Sequence, residues 1–201
     1  KILIIILPKN DNSSPIKGAI ALANYLCKFI QIKIIFLNPF LRNNTIDKRI
    51  EVYTLKSKFF KILHLNKILK NFKNFEINTL SYCLSADLAN FLIKSNVKNI
   101  STSVRGNLIK AYLSTYGLLG FIIAKFHYFL IGKFDKIFSM NNSMYNQIKY
   151  LTNRKSIIVG NCIDENKNKK FFKRKKKFQN KIIFMGNLDK NKNPLLLIRG
   201  F

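Results

Sequence analysis

Acidic side chains are scarce in this chain: nine Asp and Glu stand against 36 Lys and Arg, a net charge of +27. Such a balance ordinarily draws nucleic acid or an anionic membrane as partner. Ala, Gly, Pro and Trp are also thin, while Lys, Asn, Ile, Phe and Tyr abound, the set that A- and T-rich codons encode, so part of the charge is compositional. Three cysteines, Cys27, Cys83 and Cys162, are odd in number and form no close pair. That excludes a disulfide framework or zinc knuckle and suggests a reducing compartment. His64 and His127 lack the Glu or second His that a helical metal site places one turn away, and read as surface or packing residues. No metal and no cofactor is expected.

Long apolar runs are absent too. Leu118 to Ile131 covers 14 residues and carries Lys125 and His127, short of the roughly 20 apolar residues of a spanning helix. Ile2 to Leu7 is too short for a secretory signal and runs into Pro8, so it reads as a strand. What is present, 48% hydrophobic and 13% aromatic residues, excludes a disordered chain. Position 1 is Lys rather than Met, which reads as a fragment or processed chain.

The order of elements predicts a fold. Ile2 to Leu7 has the continuous apolar character of a strand buried on both faces. Ser14 then precedes Pro15, an N-cap followed by a proline suited to the first turn, and Ala19, Leu22, Ala23, Leu26 and Phe29 share one helical face. Ile32 to Leu37 closes a βαβ unit. Strands follow at Ile50 to Leu55, Ile77 to Leu84, Asn99 to Val104, Asp135 to Met140 and Ile157 to Val159. Helices are expected over Phe59 to Phe72, from a cap at Ser85 through Lys94, over Leu108 to Lys133 with a break near Gly117 and Gly120, and over Met144 to Leu151 behind Asn141 or Asn142. This alternation predicts an α/β fold, a Rossmann-like parallel sheet with helices on both faces.

Periodicity stops at Glu165. Lys167 to Lys177 holds eight basic residues in eleven, a charge run that reads as an interdomain linker over 165–180. Lys181 to Met185 is a fresh strand, Gly186 to Asn193 a turn, and Pro194 to Phe201 a helix. The expected organisation is a first Rossmann-like domain over 1–164, the linker, and over 181–201 the opening of a second, truncated Rossmann-like domain.

The phrase Ile182-Ile-Phe-Met-Gly-Asn-Leu-Asp-Lys-Asn-Lys-Asn-Pro-Leu-Leu-Leu-Ile-Arg-Gly-Phe201 resembles the start of the second domain in group 1 retaining glycosyltransferases, enzymes of the two-Rossmann-domain GT-B fold. Gly186, Leu188, Lys192 and Phe201 match that family's pattern. Asp135 to Ile148 is similar to the last strand and helix of its first domain, and Ile157-Ile-Val-Gly-Asn-Cys-Ile-Asp164 to its Ile-Pro-Asn-Gly-Ile-Asp phrase, matched at Asn161, Ile163 and Asp164. The opening strand and the helix carrying Ala21-Leu-Ala-Asn-Tyr-Leu26 also fit. The resemblance implies transfer of a sugar from a nucleotide-sugar donor to a lipid-linked or saccharide acceptor in bacterial cell-surface polysaccharide biosynthesis, in the cytoplasm or peripherally on the inner face of the plasma membrane. The family's two glutamates would lie beyond Phe201, so no catalytic residue is assigned, and the 201 residues alone are expected to be inactive.

Donor chemistry needs cations and N–H groups aimed at a leaving diphosphate. The resemblance puts Gly186, Asn187 and Lys192 there. Gly admits phosphate close to the backbone, the following helix directs its positive end at it, and Lys192 adds charge. Asn187 stands where the family has Arg, and donates hydrogen bonds without charge. On the acceptor side, Ser13 and Ser14 replace a Gly-Gly loop; Ser14 reads as a cap first and a phosphate ligand second. Arg105 and Gly106 follow a strand end, where ligands of open α/β sheets gather. Arg105 reads equally as a bidentate phosphate ligand and as a surface arginine. Tyr112, Phe121, Phe126, Tyr128 and Phe129, interleaved with Lys110, Lys125 and Lys133, suggest a surface for an anionic bilayer, although such a stripe is more often core. The alternatives are a basic nucleic-acid-binding protein using Lys167 to Lys177, which lacks any recognisable nucleic-acid motif so that no nucleic acid is expected, and an inactive glycosyltransferase remnant.

Overall fold

The computed structural model describes residues 1–11, 13–39, 46–55, 60–162 and 193–200. The chain divides into two compact units, Lys1–Asp164 and Glu165–Phe201. The first runs β1 (Ile2–Leu7), α1 (Ser14–Leu26), β2 (Gln31–Phe36), β3 (Glu51–Thr54), α2 (Lys61–Lys70), β4 (Ile77–Ser81), α3 (Leu84–Leu92), β5 (Asn99–Val104), α4 (Leu108–Tyr116), α5 (Leu119–Ile131), β6 (Lys136–Ser139), α6 (Asn142–Thr152) and β7 (Ile157–Ile158). In the second unit α7 (Pro194–Arg199) is described. The strand expected at Lys181 to Met185 and the turn Gly186 to Lys192 lie outside the described residues.

The seven strands form one sheet in the order β3-β2-β1-β4-β5-β6-β7, and every pairing is parallel. This is the Rossmann-like α/β class that the alternation predicts. Its cause is visible in β1, where Ile4 and Ile5 point to opposite faces and both are fully buried. Ile2, Ile4 and Ile6 pack with Leu65 and Leu69 of α2 and Ala86 and Ala89 of α3. Ile5 and Leu7 pack on the other face with Ile16, Ala19, Ile20 and Ala23 of α1. Each such isoleucine contributes about 1.5–3 kcal/mol by leaving water. A third cluster joins Ile100, Val104 and Ile137 of β5 and β6 to Tyr128, Leu130 and Ile131 of α5 and Ile148 of α6.

Several helix ends differ from the sequence reading. α1 starts at Ser14, so Ser14 is its first residue and Ser13 its N-cap position; Ser14 does not cap. The Ser13 hydroxyl donates instead to Asp11 Oδ1 at 2.5 Å. Ser85 lies inside α3, whose N-cap position is Cys83; chain direction at the end of β4, rather than a hydroxyl, starts that helix. The long apolar stretch splits at Gly117, φ +59°, into α4 and α5. Asn141 caps α6 by accepting the Met144 amide at 3.0 Å.

Lys33 carries a charge into the sheet. It is 3% exposed, its ammonium pairs with Glu51 on the neighbouring strand, and it sits 4.8 Å from the Phe72 ring centroid. Glu51 also accepts the Tyr53 hydroxyl at 2.7 Å. Lys33, and then Tyr53, hold the Glu51 carboxyl below its usual range. A lowered carboxylate pKa stabilises the fold above the unfolded value and loses that effect as pH falls through the folded value. Glu51→Gln is therefore expected to cost about 2 kcal/mol near neutrality in urea unfolding, less than for a fully buried pair because Glu51 is half exposed. The difference from wild type should shrink as the medium is acidified. Lys33→Met, which removes the buried charge itself, is expected to be neutral or stabilising.

Candidate functional site

Strand order reverses at β1, which lies between β2 and β4 while their crossovers diverge to opposite faces. Open α/β sheets bind ligands in the crevice outside the carboxyl ends of the strands at such a point. At this edge of the sheet lie the turn after β1 with Asp11 and Ser13, the start of α1, Cys83 after β4, and the 105–107 turn after β5.

The β1 side presents a carboxylate. Asp11 Oδ1 accepts both the Ser13 hydroxyl and the Ser13 amide, the latter at 2.9 Å, and Lys9 lies 3.3 Å from its other oxygen. Burial raises the Asp11 pKa, but the Ser13 hydrogen bonds and Lys9 outweigh it and hold it below the usual value. Both Ser13 donors are thus turned toward Asp11. The turn before α1 carries a negative charge, which suits a hydroxyl-rich ligand better than a bare anion.

On the β5 side, Arg105 is half-buried and Gly106 half-exposed. Arg105 Nη1 donates to the Gly160 carbonyl at 3.0 Å and to Asn161 Oδ1 at 3.1 Å, and its guanidinium lies 5.7 Å from the Tyr82 ring centroid. Arg105 therefore ties the β5 turn to the segment after β7. Burial pushes the Tyr82 phenol up, and the Arg105 charge opposes that rise. A Cβ built on Gly106 meets nothing within 4 Å. Of the seven residues singled out from the sequence, Ser13, Arg105 and Gly106 sit at turns on this edge of the sheet and Ser14 at the first position of α1; Gly186, Asn187 and Lys192 lie outside the described residues.

Cys83 was not singled out as a site residue. It adopts φ +72°, ψ +156°, a region that non-glycine residues occupy at a cost of order 1–3 kcal/mol and that clusters at ligand sites. Crowding around its thiol, then the carboxylates of Asp87 and Asp11, push its pKa up to about 11 from 9.0. The neutral thiol persists below that value. Cys83 is exposed, so access stays open and the raised pKa alone acts: alkylation at pH 8, followed by peptide mass spectrometry, is expected to run about tenfold slower than in the unfolded chain. Cys83→Gly should raise stability by about 1 kcal/mol by relieving the backbone.

Behind Cys83 lies a buried polar network. Asp87 of α3 and His127 of α5 are 1% and 2% exposed. Asp87 Oδ1 accepts Ser81 Oγ at 2.6 Å and Thr102 Oγ1 at 2.7 Å, and its Oδ2 lies 2.7 Å from His127 Nε2. His127 Nδ1 is 2.9 Å from the Tyr112 hydroxyl. A carboxylate accepts, so Nε2 carries a proton, and in the neutral ring Nδ1 accepts from Tyr112. Asn90 extends the network to Ser81 at 3.0 Å and to Thr79 at 2.5 Å. His127 is a packing residue of the interior, as the sequence reading allows, but its partner stands forty positions away. Asp87, spaced among Ala86 and Ala89 on the inward face of α3, was the available signal.

Among the described residues, no cluster of His, Cys, Asp and Glu is arranged to hold a metal ion. The sheet order defines a Rossmann-like α/β domain. The chain is similar to a UGT transferase from Siraitia grosvenorii crystallised in complex with UDP, with a TM-score of 0.52 and 8% identity, over 80% of this chain and 50% of that one. It thus spans about half the length of that structure, and the likeness concerns the fold. No family model and no curated protein matches the chain.

Proposed function

We propose that this chain supplies the acceptor-side half of a GT-B glycosyltransferase that moves a sugar from a nucleotide-sugar donor to a saccharide or lipid-linked acceptor. The observation that carries the reading is the likeness of the seven-stranded parallel sheet to half of a UDP-bound transferase. A two-domain enzyme of this design needs one Rossmann-like half on each side of the transferred sugar. In this reading the crevice at Asp11, Ser13, Ser14, Arg105 and Gly106 receives the acceptor, whose hydroxyls suit the carboxylate-lined β1 turn. Residues 181–201 open the donor half, with Gly186, Asn187 and Lys192 on the diphosphate. The phrases around Asn161 and Gly186 support the finer placement among group 1 retaining enzymes and a role in cell-surface polysaccharide synthesis.

Donor binding tests it. A chain continuing beyond Phe201 through a second domain, titrated calorimetrically with UDP and a panel of nucleotide sugars, is expected to bind at least one. Lys192→Ala should weaken that binding by about tenfold, the loss of one charge-assisted contact. Failure of every nucleoside diphosphate and nucleotide sugar to bind would overturn the proposal. Tight, salt-sensitive binding of DNA or RNA in its place would favour a nucleic-acid partner.

A further inference from the structure

α5 reads Leu-Gly-Phe-Ile-Ile-Ala-Lys-Phe-His-Tyr-Phe-Leu-Ile, apolar all round apart from Lys125 and His127. A helix of that composition belongs wholly in a core or against an apolar phase. The fold covers half of it. Gly120, Ala124, His127, Tyr128 and Ile131 face inward and are buried. Leu119, Ile122, Phe126 and Phe129, spaced three and four apart, face outward at 68%, 65%, 48% and 64% exposure, and Leu118 in the turn from α4 is 90% exposed. Scattered exposed hydrophobes are ordinary; a continuous row of large ones on one helix marks an interaction surface.

The charge around this row is of one sign. Lys125 Nζ stands 4.6 Å from the Phe121 ring centroid and Lys133 Nζ 5.0 Å from that of Phe129. Both lysines and both rings line a groove of about 420 Å³ between α5 and α6. Lys110 adds a further cation on α4, and no acidic residue occurs between Asp87 and Asp135. A second copy of the chain docking here would set lysines against lysines. An anionic lipid surface accepts both features, taking the apolar row into the acyl boundary and the ammonium groups at phosphate level. Among the described residues no helix is long and apolar enough to cross a membrane, so contact of this kind lies along the interface.

We propose that the α4–α5 turn and the outer face of α5 form a one-sided docking surface for an anionic bilayer, with Leu118, Leu119, Ile122 and Phe129 inserting and Lys125 and Lys133 meeting headgroup phosphates. The surface rests on its own residues, whether or not the chain transfers sugar.

Vesicle co-sedimentation of the full 201-residue chain tests it, with vesicles of phosphatidylcholine alone and of phosphatidylcholine mixed with phosphatidylglycerol. Binding is expected to the mixed vesicles, to survive in part at high salt, and to fall by about tenfold or more in the triple variant Leu119→Ser, Ile122→Ser, Phe129→Ser. Lys125→Gln with Lys133→Gln should weaken binding and flatten its salt dependence. The chain has no tryptophan, so single tryptophans report insertion even if the triple variant fails to fold. Ile122→Trp should shift its emission to the blue on adding mixed vesicles, and Phe75→Trp, in the turn before β4, should not. Equal vesicle binding by wild type and triple variant would overturn the proposal, as would binding abolished by high salt with no shift at position 122. So would a wild-type oligomer that the triple variant breaks while vesicle binding stays absent, since that outcome assigns the row to a second copy.

Discussion

Asp87→Ala is expected to lower stability by about 4 kcal/mol, read as a drop in the urea midpoint at unchanged slope. The carboxylate is 1% exposed and accepts from Ser81, Thr102 and His127. Alanine leaves the Thr102 hydroxyl and His127 Nε2 without a partner while Ser81 keeps the Ser101 carbonyl at 3.2 Å, and each orphaned group costs about 1–3 kcal/mol, with some relief from local collapse and water entry. Asp87→Asn separates hydrogen bonding from charge. Its carbonyl oxygen can still accept from Ser81 and Thr102, and its amide can donate to His127 Nε2 if the imidazole proton moves to Nδ1 and is donated to the Tyr112 oxygen. That rearrangement should hold the loss to about 1–2 kcal/mol. Equal losses for Ala and Asn would mean that the hydrogen bonds of the network contribute little. A domain of this size has only about 5–15 kcal/mol in total, so the alanine variant should be partly unfolded at modest temperature.

The network also shows where sequence reading stops. The first strand was legible because a buried parallel strand is typically apolar on both faces, and Ile2 to Leu7 falls where the residue pattern puts it; Asn99 to Val104 also falls where expected although Ser101, Thr102 and Ser103 are polar and buried. Helix faces were legible from spacing, as at Ala19 and Ala23, which pack on β1 and β2. Caps were less so, since Ser14 and Ser85 have the right side chain and the wrong place, while Cys83 starts α3 through backbone geometry alone. The aromatic stripe divides in a way that spacing cannot foresee, with Tyr128 buried and Phe126 and Phe129 exposed, because neighbouring α6 covers one side of α5. Arg105 could be placed at a strand end, but its partners Gly160 and Asn161 come from a turn 55 and 56 residues later. Contacts of that range depend on the crossover connections, and no local pattern encodes them.

Gly120→Ala is expected to cost about 3 kcal/mol, against the sign that helix propensity alone predicts. Exchanging glycine for alanine inside a helix normally gains about 1 kcal/mol. At position 120 the new Cβ would lie 2.1 Å from the Tyr112 carbonyl oxygen and 2.7 Å from the Leu113 amide nitrogen. These are backbone atoms of α4, so relief requires the two helices to part, and parting them loosens Tyr112 from His127 as well. Two other glycines isolate the cause. Gly117 has φ +59° with open space around it, so Gly117→Ala should cost about 1 kcal/mol through backbone strain without a clash. Gly106 has neither a positive φ nor a neighbour within 4 Å of a built Cβ, and Gly106→Ala should leave the urea midpoint near that of wild type. Any effect of Gly106→Ala would then appear only when a ligand is present, because the space it fills is in the crevice turn after β5. If Gly120→Ala proves as mild as Gly106→Ala, the close crossing of α4 on α5 is not what holds the hairpin together. The exposed row from Leu118 to Phe129 would then lose the rigid support that a docking surface requires.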